Sequence, residues 1–142
     1  MTVMKMDVAA IRAFLRAEFP QVFSGGDITI ERADGQTCLV RQRYSDGMLR
    51  PGRTISGPTL MALADCAMYV VLLSAIGPVA LAVTTNLTIN FLRKGPPGHD
   101  LHAAAKILKL GKRLAVGEVN LTSAASSDPI AHVTATYSIP DQ

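Results

Sequence analysis

Cysteine is scarce. The 142 residues contain two, Cys38 and Cys66, whose spacing matches no metal-ligand pattern. Cys66 falls in an apolar run and is expected as a packing residue rather than a thiol nucleophile. Charge is also sparse: charged residues make up 18% of the chain and hydrophobic residues 49%. That balance is apolar for a small monomer and predicts apolar surface buried between subunits. The net charge of +3 is too mild for a nucleic-acid footprint, although local basic pairs suit a phosphorylated small ligand. MTVMKMD opens no signal-peptide apolar core, which predicts a cytoplasmic protein. No internal repeat, low-complexity segment or linker interrupts the chain, so residues 1–142 are read as one domain, large enough for its own core.

What is present is one long apolar stretch, SGPTLMALADCAMYVVLLSAIGP, from Ser56 to Pro78. Ser56 and Gly57 suit a helix N-cap, Pro58 suits the first helical position, and Gly77-Pro78 ends the run. The predicted helix covers about 57–76. A helix apolar all round is wrapped by its own domain or crosses a membrane. Its length just suffices to span. Asp65 well inside it, flanks without a basic bias and the β-type alternation that follows favour a core helix and no membrane. Asp65 is the only charge on this helix, and an ionised carboxylate in apolar surroundings is costly unless paired or used.

Around this helix the order is readable. Residues 7–19 predict an amphipathic helix capped by Asp7 and ended by Pro20. Strands are expected at 27–33 and 36–45, joined by Asp34-Gly35, followed by a turn-rich loop at 46–55. In the strand at 82–92, Val83, Thr85, Leu87, Ile89 and Phe91 are read as the inward face and Thr84, Asn86, Thr88 and Asn90 as the polar one. After the loop 93–100, strands at 101–110, 113–123 and 129–138 complete the chain. Consecutive strands with short turns predict an antiparallel sheet and the α+β class, with six strands curled around the apolar helix.

Three segments carry a resemblance: SGPTLMALADCAMY on the helix, AVTTNLTINFLRK on the next strand and GKRLAVGEV near the end. Together, within about Leu49 to Pro140, they resemble hotdog-fold acyl-CoA thioesterases of the PaaI-like, phenylacetate-pathway type. The resemblance implies a sheet of six strands around the helix, assembly into homodimers and often homotetramers, and hydrolysis of a CoA thioester without metal or cofactor. The chain departs from the family in having Ser56-Gly57-Pro58 where His-Gly-Gly is common. It has Arg50 near where many members have Asn or Gln.

Thioester hydrolysis needs a nucleophile or activated water, and donors aimed at the developing oxyanion. Asp65 is the candidate general base or nucleophile; the alternative is a buried Asp satisfied by hydrogen bonds. The Gly57 N–H at the helix start is the candidate oxyanion donor, in a position that also suits an ordinary cap. Thr84 and Thr85 are candidates for orienting water, or are simply β-favouring residues. Tyr69, one helical turn beyond Asp65, could contact it or the acyl group, or pack in the core. Arg50, Arg53, Ser56, Arg93, Lys94 and Arg113 form the candidate substrate-binding set, the cations suiting the phosphates of CoA; Lys112 lies beside Arg113 in the same turn. His99, Asp100 and His102 lack a second ligand set, so no metal is expected, and His132 is read as a strand residue.

Gly57 and Asp65 lie eight residues apart on one helix, about 12 Å along its axis. One helix therefore cannot easily present both to one thioester, and a site shared between two subunits is expected. Two other functions remain: a hotdog hydratase or dehydratase, which usually wants a His beside the carboxylate, and a non-catalytic acyl-CoA-binding module.

Overall fold

The computed structural model describes residues 4–141. Helix α1 spans Val8–Glu18, and the Asp7 carboxylate accepts the Ala10 N–H at 2.9 Å. Pro20 ends α1, as the sequence predicts, but the chain turns at Phe19 and restarts as a short α2, Pro20–Phe23. Proline at a first helical position lacks only an N–H that would have no partner there. Strands β1 (Ile28–Ala33) and β2 (Thr37–Gln42) form a hairpin whose turn is fixed by Asp34, which accepts the Gln36 and Thr37 N–H groups.

The segment 46–55, expected as a loop, contains a 3-10 turn at Asp46–Met48 and a small hairpin, β3 (Leu49–Arg50) with β4 (Thr54–Ile55). Two-residue strands are too short for alternation to reveal. The central helix α3 spans Gly57–Ile76, inside the predicted stops. The Ser56 hydroxyl accepts the Thr59 N–H, and Gly77, at φ 94°, donates its N–H to the Leu73 carbonyl at 2.9 Å. Strands β5 (Val83–Phe91), β6 (Leu101–Leu110), β7 (Leu114–Ser123) and β8 (Pro129–Ser138) follow.

All six long strands join one antiparallel sheet in the order β1-β2-β6-β7-β8-β5. This is the hotdog arrangement. The helix is long and apolar enough to cross a membrane, but it lies against β2, β6 and β7 and its C-terminal half is buried on every side. Small inward residues let it approach closely: Ala103 and Ala105 on β6, Ala115 and Gly117 on β7, Ala131 and Ala135 on β8.

Gly117 is the tightest of these contacts. A Cβ there would lie 2.5 Å from the Met68 sulfur and 2.8 Å from the Lys106 carbonyl oxygen. Methionine can give way; the neighbouring strand's backbone cannot without breaking register. Gly117→Ala is therefore expected to destabilise the fold by about 1–3 kcal/mol, measurable as a lower midpoint in urea with an unchanged slope. A midpoint equal to wild type would mean the sheet shifts freely beneath the helix.

Strand β5 is an edge, paired only to β8. Its alternation is real but not uniform. The register shifts between Thr84 and Asn86, so a bulge at Thr85 exchanges the faces of the residues before it. Thr84, read as polar-facing, turns inward, whereas Thr85 is exposed and donates to the Thr136 carbonyl at 3.2 Å. Leu87 and Ile89 are half-buried against the core, but Val83 and Phe91, also read as inward, remain 56% and 55% exposed.

Candidate active site

Asp65 sits midway along α3, beside the free edge of the sheet. Two strands deliver hydroxyls to it. Thr84 of β5 pairs with Tyr137 of β8, and both side chains converge on one carboxylate oxygen. Thr84 donates to Asp65 Oδ1 at 2.5 Å and Tyr137 at 2.6 Å; the Tyr137 hydroxyl also lies 3.0 Å from the Asp65 main-chain oxygen. Tyr137 is buried and stacks on Tyr69, with centroids 6.1 Å apart. Burial, then the neighbouring Asp65 carboxylate, push the Tyr137 phenol well up, so it stays protonated as a donor. Asp65, Tyr69, Thr84 and Tyr137 line an open cavity of about 280 Å³, together with Glu18 and Phe19 at the α1–α2 junction and Ala80, Ala82 and Val83.

Gly57 lies in a different place. It opens on a cavity of about 490 Å³ lined by Arg50, Thr54, Ile55, Leu60, the segment Phe91–Lys94 and Gly95. At the start of α3, Thr59 is capped by Ser56 and Leu60 donates to the Ser56 carbonyl, while Pro58 has no N–H. The Gly57 N–H meets no acceptor among the described residues. The Phe91 ring covers the glycine; a Cβ would meet its Cζ at 3.0 Å. Among the described residues, the two cavities share no lining residue.

The sequence profile of the thioesterase superfamily matches residues 52–129. The chain belongs to the thioesterase superfamily. A presumed thioesterase from Silicibacter sp. TM1040 is 40% identical over 99% of this chain and 96% of its own, with a TM-score of 0.89. Zebrafish thioesterase superfamily member 2 superimposes with a TM-score of 0.82 at 20% identity, over 96% of this chain and 100% of its own. The PaaI protein of the E. coli phenylacetic acid degradation operon does so at 0.71 and 24%, over 90% and 88%. No protein of curated function matches the sequence.

The remaining predicted residues of this superfamily member scatter. Arg50, Arg93 and Lys94 line the Gly57 cavity, and among the described residues none of the three pairs with a carboxylate. Arg93 donates to the Pro129 carbonyl at 2.6 Å. Arg53 is exposed in the turn between β3 and β4, and Ser56 acts as the cap. Arg113 and Lys112 line neither cavity; Arg113 lies 3.5 Å from Asp141. Tyr69 does line the Asp65 cavity, with its hydroxyl directed to the Val79 and Ala80 carbonyls. Asp100 is occupied by Arg41 and the Tyr44 N–H. His132, on β8 as expected, pairs with Glu118 at 3.0 Å. No histidine lines either cavity among the described residues. Burial pushes the Cys66 thiol up to about 12, which fits a packing residue.

Phe91, over Gly57, and Tyr137, on Asp65, escaped the sequence reading as site residues. Phe91 was legible only as a strand position. Tyr137 shares the inward parity of Ala131, Val133 and Ala135, so a phenol at the end of a buried face was the available signal.

Proposed function

We propose that the protein is an acyl-CoA thioesterase, hydrolysing a CoA thioester to a free acid and CoA in the cytoplasm. Asp65 acts as general base or nucleophile and the Gly57 N–H as oxyanion donor. The observation that carries this reading is the state of Asp65: a carboxylate on an otherwise uncharged helix, held by two hydroxyls and opening on a cavity. The Gly57 N–H, at the positive end of the helix and without an acceptor, suits a developing oxyanion. Arg50, Arg93 and Lys94 beside it suit the phosphate charges of CoA. No cofactor or metal takes part in this reading.

The catalytic unit is a homodimer, which a tetramer would contain twice. Edge strand β5 supports this arrangement. Its Thr84 end bonds Asp65 and its Phe91 end covers Gly57. The seven-residue interval is about 23 Å of strand. Two copies of β5 paired antiparallel about their midpoint bring Thr84 of one subunit opposite Phe91 of the other. Asp65 of one subunit then faces Gly57 of its partner. The exposed Val83 and Phe91 are apolar surface that such pairing covers.

The test is a panel of aryl, short-chain and medium-chain acyl-CoAs assayed for free thiol. A thioesterase releases CoA, a hydratase alters the acyl chain instead, and a binding module does neither. No thiol release across the panel, from protein that binds acyl-CoA, would reject hydrolysis.

Arg53 supplies a further check. It holds φ at +60°, directly after Gly52 at +95°. This left-handed conformation costs a non-glycine residue about 1 kcal/mol. If the cation binds CoA, Arg53→Gly is expected to raise the melting temperature and also raise KM, with kcat little changed. A more stable variant with wild-type KM would remove Arg53 from the binding set.

A further inference from the structure

The Asp65 carboxylate is held on one side. Thr84 and Tyr137 both reach Oδ1, at 2.5 and 2.6 Å, and neither reaches Oδ2. Among the described residues, every buried side-chain nitrogen or oxygen has a hydrogen-bond partner. Oδ2 has none, so it faces accessible space, and the space beside Asp65 is the 280 Å³ cavity. One oxygen is committed to the protein and the other is left for chemistry.

We propose that Tyr137 is a positioning residue that, with Thr84, fixes the plane of the Asp65 carboxylate so that Oδ2 is its working oxygen. The inference rests on the reading of Asp65 as base or nucleophile and adds to it which oxygen acts and what selects it.

A single donor would leave the carboxylate free to swing about its Cβ–Cγ bond around that one contact. Two donors arriving from different strands restrict the swing. Tyr137 adds a third constraint, because its hydroxyl lies within hydrogen-bond distance of the Asp65 main-chain oxygen as well as its side chain. The tyrosine is itself fixed. Its ring is buried and stacked on Tyr69, whose own hydroxyl is held at the Val79 and Ala80 carbonyls. Thr84 supplies the second donor from β5, next to the bulge. The high proton affinity of the buried phenol keeps it a donor whenever Asp65 is ionised. A base or nucleophile must meet its target within hydrogen-bond reach, so loss of orientation lowers the rate without touching substrate affinity.

The experiment is a double-mutant cycle on an acyl-CoA that the wild-type protein hydrolyses. Tyr137→Phe keeps the ring and its stacking and removes only the hydroxyl. It is expected to lower kcat by about ten- to a hundredfold, with KM unchanged. In an Asp65→Asn background the same change is expected to lower the residual kcat no further, because the oriented group is already gone. A packing role predicts equal losses in both backgrounds, and that result overturns the proposal. Normal kcat in Tyr137→Phe beside a crippled Asp65→Asn also overturns it, while leaving the role of Asp65 intact. Full activity in Asp65→Asn itself would end the reading of Asp65, and the positioning role with it.

Discussion

Asp65→Asn is expected to lower kcat by about a hundredfold or more in a protein that remains folded, the scale on which removal of a base or nucleophile acts. The substitution is close to isosteric. The asparagine oxygen can still accept from Thr84 and Tyr137, as Asp65 Oδ1 does at 2.5 and 2.6 Å, so the anchoring of α3 to β5 and β8 survives. What is lost is the charge and basicity of the second oxygen. An amide neither takes a proton from water near neutral pH nor attacks a thioester. Steady-state kinetics, with circular dichroism to verify the fold, decide the matter. Near-normal turnover in the folded variant would reduce Asp65 to a buried polar anchor between helix and sheet.

The second large effect is recovery rather than loss. Asp65→Asn and Gly57→Pro are each expected to be almost inactive alone, and their equal mixture is expected to regain about a quarter of wild-type activity. The arithmetic follows from a two-fold dimer. Random exchange makes half the dimers mixed, and each mixed dimer has one doubly damaged site and one intact site. Proline is the choice at Gly57 because it removes the N–H at a first helical position that tolerates it. Its added carbons meet the Phe91 ring, where a Cβ would lie 3.0 Å from Cζ, so the ring must give by a few tenths of an ångström. Circular dichroism must show that the variant folds, and labelled subunits that exchange occurs. Proven exchange without regained activity would place both groups in one subunit, or remove Gly57 from the reaction. The two separate cavities of a single chain, with no common lining residue among those described, motivate the expectation that activity is regained.

The succession of long strands along the chain and the bounds of the central helix were legible because they rest on local physics. Ser56 and Gly77 are caps that act within one turn, and the apolar run between them needs to be surrounded whatever surrounds it. Strands β6, β7 and β8 fall within a residue of the ranges expected from their β-forming runs and the turns between them. Asp65 was visible for a similar reason: a lone charge in an apolar helix is conspicuous without coordinates.

The companions of Asp65 were a different matter. Alternation along β5 put Thr85 inward and Thr84 outward, and the bulge reversed them. A bulge inserts one residue into a two-residue period, and nothing in a Val-Thr-Thr-Asn run marks where it falls. Tyr137 is 72 residues from Asp65, and their contact exists only because β8 pairs with β5 beside the helix. The basic residues show the same division. Sequence placed Arg50, Arg53, Arg93, Lys94 and Arg113 in turns alike, whereas folding gathered Arg50, Arg93 and Lys94 at Gly57 and left Arg113 beside Asp141. The sequence by itself determined the helix, its caps, the antiparallel strands and the one carboxylate, because each follows from neighbours a few residues apart. Only the tertiary structure decided which hydroxyls reach that carboxylate, which cations share a cavity, and which residues surround Gly57 and Asp65. Those facts depend on strand register and on which elements pack together, and register is set by long-range pairing that no local pattern contains.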